Sequence, residues 1–112
     1  MSDCLFCKIK DKTIPATIVF ENDEFMAFKD IHPKAPVHLL LIPKLHIDSL
    51  DDIKPEHSDM LAKLLLTVPE IAKQQQLHGY RTVINTGAGG GQIIFHLHLH
   101  ILNGGDHGLG GH

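Results

Sequence analysis

The stretch Ile93-Ile94-Phe95-His96-Leu97-His98-Leu99-His100-Ile101-Leu102 decides the fold, because three histidines alternate along it with apolar residues. Successive side chains of a β-strand point to opposite faces. The pattern therefore predicts a strand with the three imidazoles on one face and a purely apolar second face. A solvated strand face normally mixes Thr, Lys, Glu and Ser, so this row indicates a chemical site. It can bind a metal, or it can supply a nucleophile with neighbours that orient it, and the spacing alone does not choose.

The segments on either side predict a mixed helical and stranded chain. Strands are predicted over residues 17–21, 24–30, 37–42 and 80–85, and a short helical turn over residues 4–10. One long helix is predicted over residues 57–76, where apolar residues recur at helical spacing. Pro69 lies inside it. A proline removes one backbone N–H and clashes with the preceding turn, so we expect a kink or a division there.

Length and composition limit the kind of protein. The chain has 112 residues, 43% hydrophobic and 21% charged, as expected for one compact soluble domain over residues 1–112 with a glycine-rich tail from about 104. No apolar run approaches the ~20 residues that span a bilayer, and residues 1–4 lack the basic start and apolar core of a secretory signal. We therefore expect a cytoplasmic protein without membrane partners. The net charge of −3 and the single arginine, Arg81, argue against a nucleic-acid partner.

A glycine-rich loop, residues 87–91, leads into the histidine stretch. Glycines leave backbone N–H groups unobstructed, which is a common way to hold a phosphate, but the same composition suits a plain flexible connection. Asn85, just before the loop, is either a turn residue or a ligand contact. His38 opens the buried run 37–42, where a polar ring usually faces a site or a satisfied partner.

Cys4 and Cys7 form a C-x-x-C pair near the N-terminus. A structural disulfide is not expected in a cytosolic protein. The pair is then a redox pair, half of a zinc site, or two small core thiols. No strand precedes it, which disfavours the thioredoxin-like redox setting. Two further ligands would complete a tetrahedral zinc site, and the chain has ten histidines to supply them.

Several segments together resemble the histidine triad (HIT) family. HLHLHIL at 96–102 matches the family's signature, and the resemblance covers nearly the whole chain, from Asp3 to about Gly105. The supporting segments, in chain order, are DCLFCKI at 3–9, FKDI at 28–31, PVHLLLIPKLH at 36–46, VIN at 83–85 and GGQ at 90–92. The chain is most similar to the branch of purine nucleoside phosphoramidate hydrolases, and to its zinc-containing bacterial members.

This resemblance implies an α+β fold, a mainly antiparallel sheet of about five strands with one long helix, paired into a homodimer. It implies hydrolysis of purine nucleoside 5′-phosphoramidates, such as an AMP-amine or an acyl-AMP, through a covalent nucleotidyl-histidine. His98 would be the nucleophile, and His100 and His38 would contact the phosphate and hold that imidazole in its working tautomer. Neutral imidazole, with a reference pKa of ~6.5, is a competent nucleophile near pH 7.

The resemblance also assigns residues that bind the nucleotide and a structural zinc ion. Asp30 would bind the ribose hydroxyls. The other residues of the expected nucleotide site are Leu5, Phe6, Ile9, Phe28 and Ile31 around the base, and Asn85, Gly91, Gln92 and Ile93 near the ribose and phosphate. Zn²⁺ would be held by Cys4, Cys7, His46 and His96, as a staple for the fold and not as the catalyst.

Two departures from the family pattern concern the leaving group and the choice of substrate. Many relatives carry a hydroxyl or another polar side chain directly after Gly-Gly-Gln, where this chain has Ile93. The departing amine must then receive its proton from elsewhere or leave more slowly. The tail over residues 103–112 is short, glycine-rich and without Trp, so we infer no specificity from it.

Three alternatives stay open at the level of sequence. The chain could be a non-catalytic nucleotide-binding regulatory module, since Ile93 weakens the expected leaving-group chemistry. It could hydrolyse dinucleoside polyphosphates with the same nucleophile and a different leaving group. It could also be a metallohydrolase that uses His96, His98 and His100 as metal ligands.

Overall fold

A computed structural model of the protein describes residues 3–105. Its strands are β1 (Ile18–Glu21), β2 (Phe25–Lys29), β3 (Val37–Pro43), β4 (Arg81–Val83) and β5 (Leu99–Asn103), and its α-helices are α1 (Leu5–Lys10) and α2 (Ser58–Gln74). Short 3-10 turns lie at Leu50–Asp52, Pro55–His57 and Ala88–Gly90. The predicted α+β class, with one long helix, is confirmed.

The strands form one antiparallel sheet of five, in the order β1-β2-β3-β5-β4. The β1–β2 hairpin closes at Asn22, whose Oδ1 accepts hydrogen bonds from the backbone N–H groups of Glu24 and Phe25 at 2.9 and 2.8 Å. β3 lies at the centre and pairs with β5 so that His38 opposes Leu102 and Leu40 opposes His100. Both histidines therefore project from the same face of the sheet.

The two faces of the sheet are covered by different helices. On one face, Leu39, Leu99 and Ile101 pack in a buried cluster with Leu64 and Ile71 of α2. On the other face, a second buried cluster joins α1 to the sheet; its members are Phe6, Ile9, Met26, Phe28, Leu40 and Ile42. This second face is the one that carries the histidines. The sheet thus separates the main core from the candidate site.

The histidine stretch is less regular than its alternation predicts. β5 begins only at Leu99, so His96 and His98 precede the strand ladder. The segment stays extended because the N–H of Leu97 donates to the carbonyl oxygen of Ile47 at 2.7 Å. The predicted alternation is confirmed, since Leu97 is buried in the cluster under α2 while His96 and His98 contact Phe6 of α1. The predicted strand extent was wrong by three residues at its start.

Pro69 does not divide the long helix. α2 runs continuously from Ser58 to Gln74. Pro69 removes the N–H that would bond to the carbonyl of Leu65, and the side chain of Leu65 is 58% exposed. Leu65 therefore lies on the exposed side of the helix, where the loss of one backbone hydrogen bond is least costly.

Two further expectations depend on the extent of the chain. Within residues 3–105, none of the helices has the length and apolar character needed to cross a membrane. The predicted glycine-rich tail, from about 104, falls largely outside the described residues. The predictions of a single domain over residues 1–112 and of a cytoplasmic location stay predictions.

Candidate active site and metal centre

His98 is a buried imidazole with a defined tautomer. Its Nδ1 lies 2.7 Å from the backbone carbonyl oxygen of His96, and since a carbonyl only accepts, the ring donates from Nδ1. Nε2 therefore keeps its lone pair. Burial lowers the pKa of His98, so the ring is neutral at pH 7. A neutral imidazole with a fixed lone pair is the form that nucleophilic attack requires.

His38 and His100 form a directed pair beside this ring. The backbone N–H of Lys34 donates to His38 Nδ1 at 3.0 Å, which places the proton of neutral His38 on Nε2. His38 Nε2 lies 2.9 Å from His100 Nδ1, so His38 donates and His100 accepts. The remaining proton of His100 is then on Nε2. Burial, together with the charges of His98 and His38, lowers the pKa of His100 to about 4, so His100 is a neutral donor at pH 7.

Asp30 borders the same pair. Its Oδ1 accepts the backbone N–H of His32 at 2.8 Å, and its Oδ2 lies 3.4 Å from His38 Nε2. Ligand atoms of Asp30, His38 and His100 lie within 4.8 Å of one another, which is close enough to suggest a metal site. The bond from Lys34 places a proton on His38 Nε2, however, and a protonated nitrogen cannot ligate a metal. The cluster fits a hydrogen-bonded chain better than a metal centre.

The three histidines of the triad do not converge on one metal. His98 uses Nδ1 on a carbonyl and His100 uses Nδ1 on His38, whereas His96 turns its Nδ1 toward the cysteines. The metallohydrolase alternative, with all three rings as ligands of one ion, is disfavoured by this geometry.

Cys4, Cys7, His46 and His96 form a compact tetrad. Their ligand atoms all lie within 4.8 Å of one another. His96 Nδ1 is 3.3 Å from Cys4 Sγ and 3.6 Å from Cys7 Sγ, and Cys7 Sγ is 3.3 Å from His46 Nδ1. Ligands around a tetrahedral zinc ion, with bonds of about 2.0–2.3 Å, are separated by about 3.3–3.8 Å. These three distances fall within that range.

The tautomers of the two histidines also fit a cation. His96 donates from Nε2 to the carbonyl oxygen of Pro43 at 2.7 Å, and His46 directs Nε2 to Asp48 Oδ1, also at 2.7 Å. Each ring therefore directs an Nδ1 lone pair into the tetrad, and these two atoms lie 3.1 Å apart. Each of the two nitrogens also faces a cysteine sulfur at 3.3 Å, so the four donor atoms are directed at one another in the way that a bound cation requires. Metal-ligating histidines usually donate their other nitrogen to a carboxylate or a carbonyl, as both do here.

The residues expected around the base are only partly enclosed. Phe6, Ile9 and Phe28 are buried in the cluster under α1, and Phe6 packs edge-on against both Phe28 and His98, with ring centroids at 5.4 and 5.0 Å. Leu5 and Ile31 are exposed, Ile31 at 81%. Phe6 therefore links the expected base site to the ring of His98, while the two exposed residues form its outer edge.

The glycine-rich loop is held mainly by its own hydrogen bonds. The N–H groups of Gly90 and Gly91 donate to carbonyls within the loop, at 3.1 and 3.0 Å, and the N–H of Gln92 does likewise at 3.0 Å. Gly91 has φ +85°, a left-handed conformation that favours glycine. Asn85 donates to the carbonyl of Gly90 at 2.8 Å. These three amides are engaged, so a phosphate would have to be bound by other donors of the site.

Gln92 and Ile93 have contrasting environments. The side chain of Gln92 is buried; Oε1 accepts from Gly87, and Nε2 donates to the carbonyls of Asp48 and Ile94. Its amide holds the loop in place. Ile93 is 85% exposed and lies on a cleft of about 410 Å³. The cleft is lined by Asp3, Cys4, Leu5, His46, Ile93, Ile94 and Phe95. It borders the exposed side of the tetrad.

Comparison with known proteins identifies the family. A family model described as "Scavenger mRNA decapping enzyme C-term binding" matches residues 3–111. The solved structure of a HIT family hydrolase from Legionella pneumophila Philadelphia 1 matches with a TM-score of 0.88 at 46% identity, covering 93% of this chain and 95% of that one. The chain belongs to the histidine triad family. The predicted family and fold are confirmed.

Three curated HIT relatives are similar over most of their length. Protein HitA of Neisseria gonorrhoeae is 58% identical over 103 residues, 91% of this chain and 96% of HitA. The 14 kDa zinc-binding protein of Brassica juncea is 45% identical over 105 residues, 91% of this chain and 93% of that protein. The purine nucleoside phosphoramidase of Escherichia coli K12 is 38% identical over 104 residues, 91% of this chain and 87% of that enzyme.

Sequence reasoning missed the groups that orient the histidines. Asp48 and the carbonyl of Pro43 hold the tetrad rings, and the N–H of Lys34 sets the tautomer of His38. Two of these three are backbone groups, which carry no sequence signal. Asp48 follows His46 at a spacing of two residues, and that His-x-Asp pattern beside an expected ligand was the one available signal.

Proposed function

We propose that this HIT protein hydrolyses purine nucleoside 5′-phosphoramidates, an AMP-amine or an acyl-AMP, through a covalent nucleotidyl intermediate on His98. The observation that carries the proposal is the 2.7 Å hydrogen bond from His98 Nδ1 to the carbonyl of His96. It holds a buried, neutral imidazole with its Nε2 lone pair available. The phosphoramidase activity of the Escherichia coli relative supports the reaction class.

In the first step, Nε2 of His98 attacks the α-phosphorus. A P–Nε2 bond forms and the bond from phosphorus to the leaving group breaks, its electron pair going to the departing nitrogen or oxygen. A departing amine takes up one proton, which comes from solvent, because nitrogen leaves poorly as an anion. Negative charge on the non-bridging oxygens is stabilised by the Nε2–H of His100, which the bond from His38 keeps in the donating tautomer.

In the second step, water attacks the nucleotidyl-histidine. Oxygen bonds to phosphorus, the P–Nε2 bond breaks, and the nucleoside monophosphate leaves with His98 restored. The attacking water releases one proton to solvent, which balances the proton that a departing amine takes up in the first step. Dividing hydrolysis in this way replaces one difficult displacement by two easier ones.

The nucleotide would be bound on the α1 side of the sheet. Phe6, Phe28 and the exposed Leu5 and Ile31 would contact the purine, and Asp30 would bind the ribose hydroxyls. Its carboxylate is partly exposed and lies 3.4 Å from His38, which places the expected ribose contact beside the catalytic pair. Asn85 and Gly91 would line the ribose-phosphate region from the glycine-rich loop, and the hydrogen bonds to the phosphate would come from other donors such as His100 Nε2.

A zinc ion would serve this protein as a structural element. Cys4, Cys7, His46 and His96 are the residues that would hold it, and their mutual distances suit a tetrahedral ion. It would supply a fixed link between the N-terminal segment, the residues that follow β3, and the start of the histidine stretch. The name of the Brassica juncea relative supports this part of the proposal.

We further propose a homodimer as the working form. Leu65 and Leu66 of α2 are 58% and 70% exposed, which is unusual for two adjacent leucines on a helix. A second copy would cover them. Sedimentation of wild type and of the double variant Leu65→Lys/Leu66→Lys tests the dimer. We expect wild type to sediment as a dimer and the double variant as a monomer. A monomeric wild type would refute the proposed dimer.

The reaction is tested by comparing turnover of an adenosine 5′-phosphoramidate by wild type and by His98→Ala, with AMP binding measured for both. We expect wild type to turn over and the folded variant to bind AMP but to lose at least about a hundredfold in rate. If wild type binds AMP and turns over neither this substrate nor an acyl-AMP, the protein is a nucleotide-binding module. If only a diadenosine polyphosphate is cleaved, the substrate class is wrong.

A further inference from the structure

We propose that the cysteine-histidine tetrad positions the nucleophile, with His96 as a positioning residue that belongs to both sites. This inference rests on the proposed role of His98. His96 contributes its ring to the tetrad and its backbone carbonyl to His98, so the state of the metal centre is transmitted to the reacting imidazole within a single residue.

His96 is held through its side chain and also holds His98 through its backbone. Its side chain is fully buried, with Nε2 donating to Pro43 and Nδ1 directed into the tetrad. The carbonyl of the same residue accepts from His98 Nδ1 at 2.7 Å. Because the ring is held at both nitrogens, it restrains the Cα of His96, and a shift of that backbone moves the carbonyl that determines the tautomer and direction of His98.

Residues 96–98 are not held by the hydrogen bonds of the sheet. Residues 96–98 come before β5, which begins at Leu99. Apart from the packing of Leu97 in the cluster under α2, the segment is fixed by the side chain of His96 and by the bond from Leu97 N–H to the carbonyl of Ile47 at 2.7 Å. Ile47 directly follows His46, which is another member of the tetrad. Both attachments thus lead to tetrad residues.

Phe6 packs against the rings of both His96 and His98. This residue lies between Cys4 and Cys7 in the chain, and its ring meets His98 edge-on, with centroids 5.0 Å apart and an interplanar angle of 90°. It also contacts His96, with centroids 6.0 Å apart. An ion held by both cysteines would therefore also fix the ring that packs against the nucleophile.

Loss of the metal would act on these contacts directly. Without a cation, the lone pairs of His46 Nδ1 and His96 Nδ1 face each other at 3.1 Å. The ring of His96 also loses the ligand bond at Nδ1 and is held only by the bond from Nε2 to Pro43 and by packing. The backbone of His96 is then less restrained, and His98 can exchange between its two tautomers, of which only one has its Nε2 lone pair available.

The decisive experiment compares His46→Ala with His46→Cys in the full chain. Cysteine restores a ligand, since three Cys and one His form a normal zinc site, whereas alanine removes it. His46 is suitable because its side chain is 37% exposed and it has no place in the proposed catalytic steps. Bound zinc is quantified, the tautomer of His98 is read from long-range proton–nitrogen NMR correlations, and kcat is measured on an AMP-amine.

We expect wild type and His46→Cys to hold zinc, to show His98 in the Nδ1–H form, and to have kcat values within about threefold of each other. We expect His46→Ala to lack zinc, to show a mixture of tautomers, and to lose about 10–100-fold in kcat. A metal-free His46→Ala with His98 wholly in the Nδ1–H form and kcat unchanged would overturn the proposal. If this variant does not fold, chelation of wild type followed by the same NMR signal replaces it.

Ile71→Ala is the matched control for a general loss of stability. Ile71 is buried in the cluster under α2, on the opposite face of the sheet, so its truncation lowers the melting temperature without touching the tetrad. We expect His98 in Ile71→Ala to have the same tautomer as in wild type. If Ile71→Ala and His46→Ala showed the same mixture of tautomers, the positioning role would be refuted. The NMR measurement of the His98 tautomer does not require turnover. If wild type hydrolyses no substrate, the proposed function is refuted, and the comparison of tautomers between variants still tests the positioning role of the tetrad.

Discussion

His38 Nε2 lies 2.9 Å from His100 Nδ1, and the direction of this hydrogen bond is fixed by the backbone. Because Lys34 N–H donates to the other nitrogen of His38, the proton must lie between the two rings on the His38 side. His100 is thereby left with its own proton on Nε2. One backbone amide in the loop before β3 thus determines which nitrogen of His100 carries the proton.

Removal of His38 is expected to lower kcat on an AMP-amine by about a hundredfold, the size of effect seen when one donor to a developing anion is lost. His38→Ala leaves His100 Nδ1 without its donor, so His100 no longer holds a single tautomer. Steady-state kinetics on the folded variant measure this effect. His32→Ala, which removes an exposed histidine from the same loop region, is the control and should keep wild-type kcat. Equal rates for His38→Ala and wild type would contradict the assigned direction of the pair.

Stability should fall as the pH is lowered from about 6.5 to 4. The pKa of His100 is held at about 4 by burial first and by neighbouring histidines second, whereas in the unfolded chain it is ~6.5. Between these values the unfolded chain binds a proton that the folded chain does not, so protonation favours unfolding as pH falls. The contribution is on the order of 3 kcal/mol over that range.

Urea unfolding at pH 7 and pH 4.5 measures this dependence. Carboxylates also titrate in the range, so the comparison is made between wild type and His100→Gln, which has no titrating ring. The variant should lose less stability on acidification. A loss equal to that of wild type would show that His100 titrates normally in the folded protein.

Ile93→Ser should raise kcat for poor leaving groups selectively. Ile93 offers no proton to a departing amine, so we expect wild type to cleave an acyl-AMP faster than an AMP-alkylamine. A serine hydroxyl at this exposed position can assist the amine, and we expect about tenfold improvement on the alkylamine with little change on the acyl-AMP. Parallel kinetics on both substrates check this. Equal gains on both would mean that the residue affects binding and not departure of the amine.

Metal removal should destabilise the fold. Chelation of zinc-loaded wild type is expected to lower the melting temperature by at least about 10 °C, because metal binding is coupled to folding through four ligands from three parts of the chain. Thermal unfolding with and without chelator measures the shift. Cys4→Ser/Cys7→Ser, which cannot form the site, should melt at the lower temperature and show no chelator effect. The same shift in that variant would place the metal elsewhere.

The sequence contains the alternation that builds the fold, and this part was predicted well. Leu97, Leu99 and Ile101 could be assigned to the core because period-two patterning survives even where the strand ladder does not. The start of β5 was mispredicted because strand assignment depends on a pairing partner. Residues 96–98 pair with the loop after β3 at Ile47 and not with a strand.

The orientation of the candidate site could not be predicted to the same degree. Residue types and spacing indicated which histidines gather, but the tautomers depend on Pro43, Lys34 and the carbonyl of His96, all acting through their backbones. The hydrogen bonding of the glycine-rich loop was likewise not predictable from its composition. Its composition suited either free amides for a phosphate or a flexible connection, whereas the N–H groups of Gly90, Gly91 and Gln92 are engaged within the loop around the 3-10 turn at Ala88–Gly90.

The central claim is that His98 becomes covalently nucleotidylated. It is tested most directly by mixing wild type with an excess of an AMP-amine, stopping the reaction rapidly without acid, and analysing the intact protein and its peptides by mass spectrometry. The account predicts an adduct of one adenylyl group on the peptide containing His98, formed and consumed at rates consistent with kcat, and absent from His98→Ala. Turnover without any adduct in wild type, or an adduct on another residue that persists in His98→Ala, would contradict it.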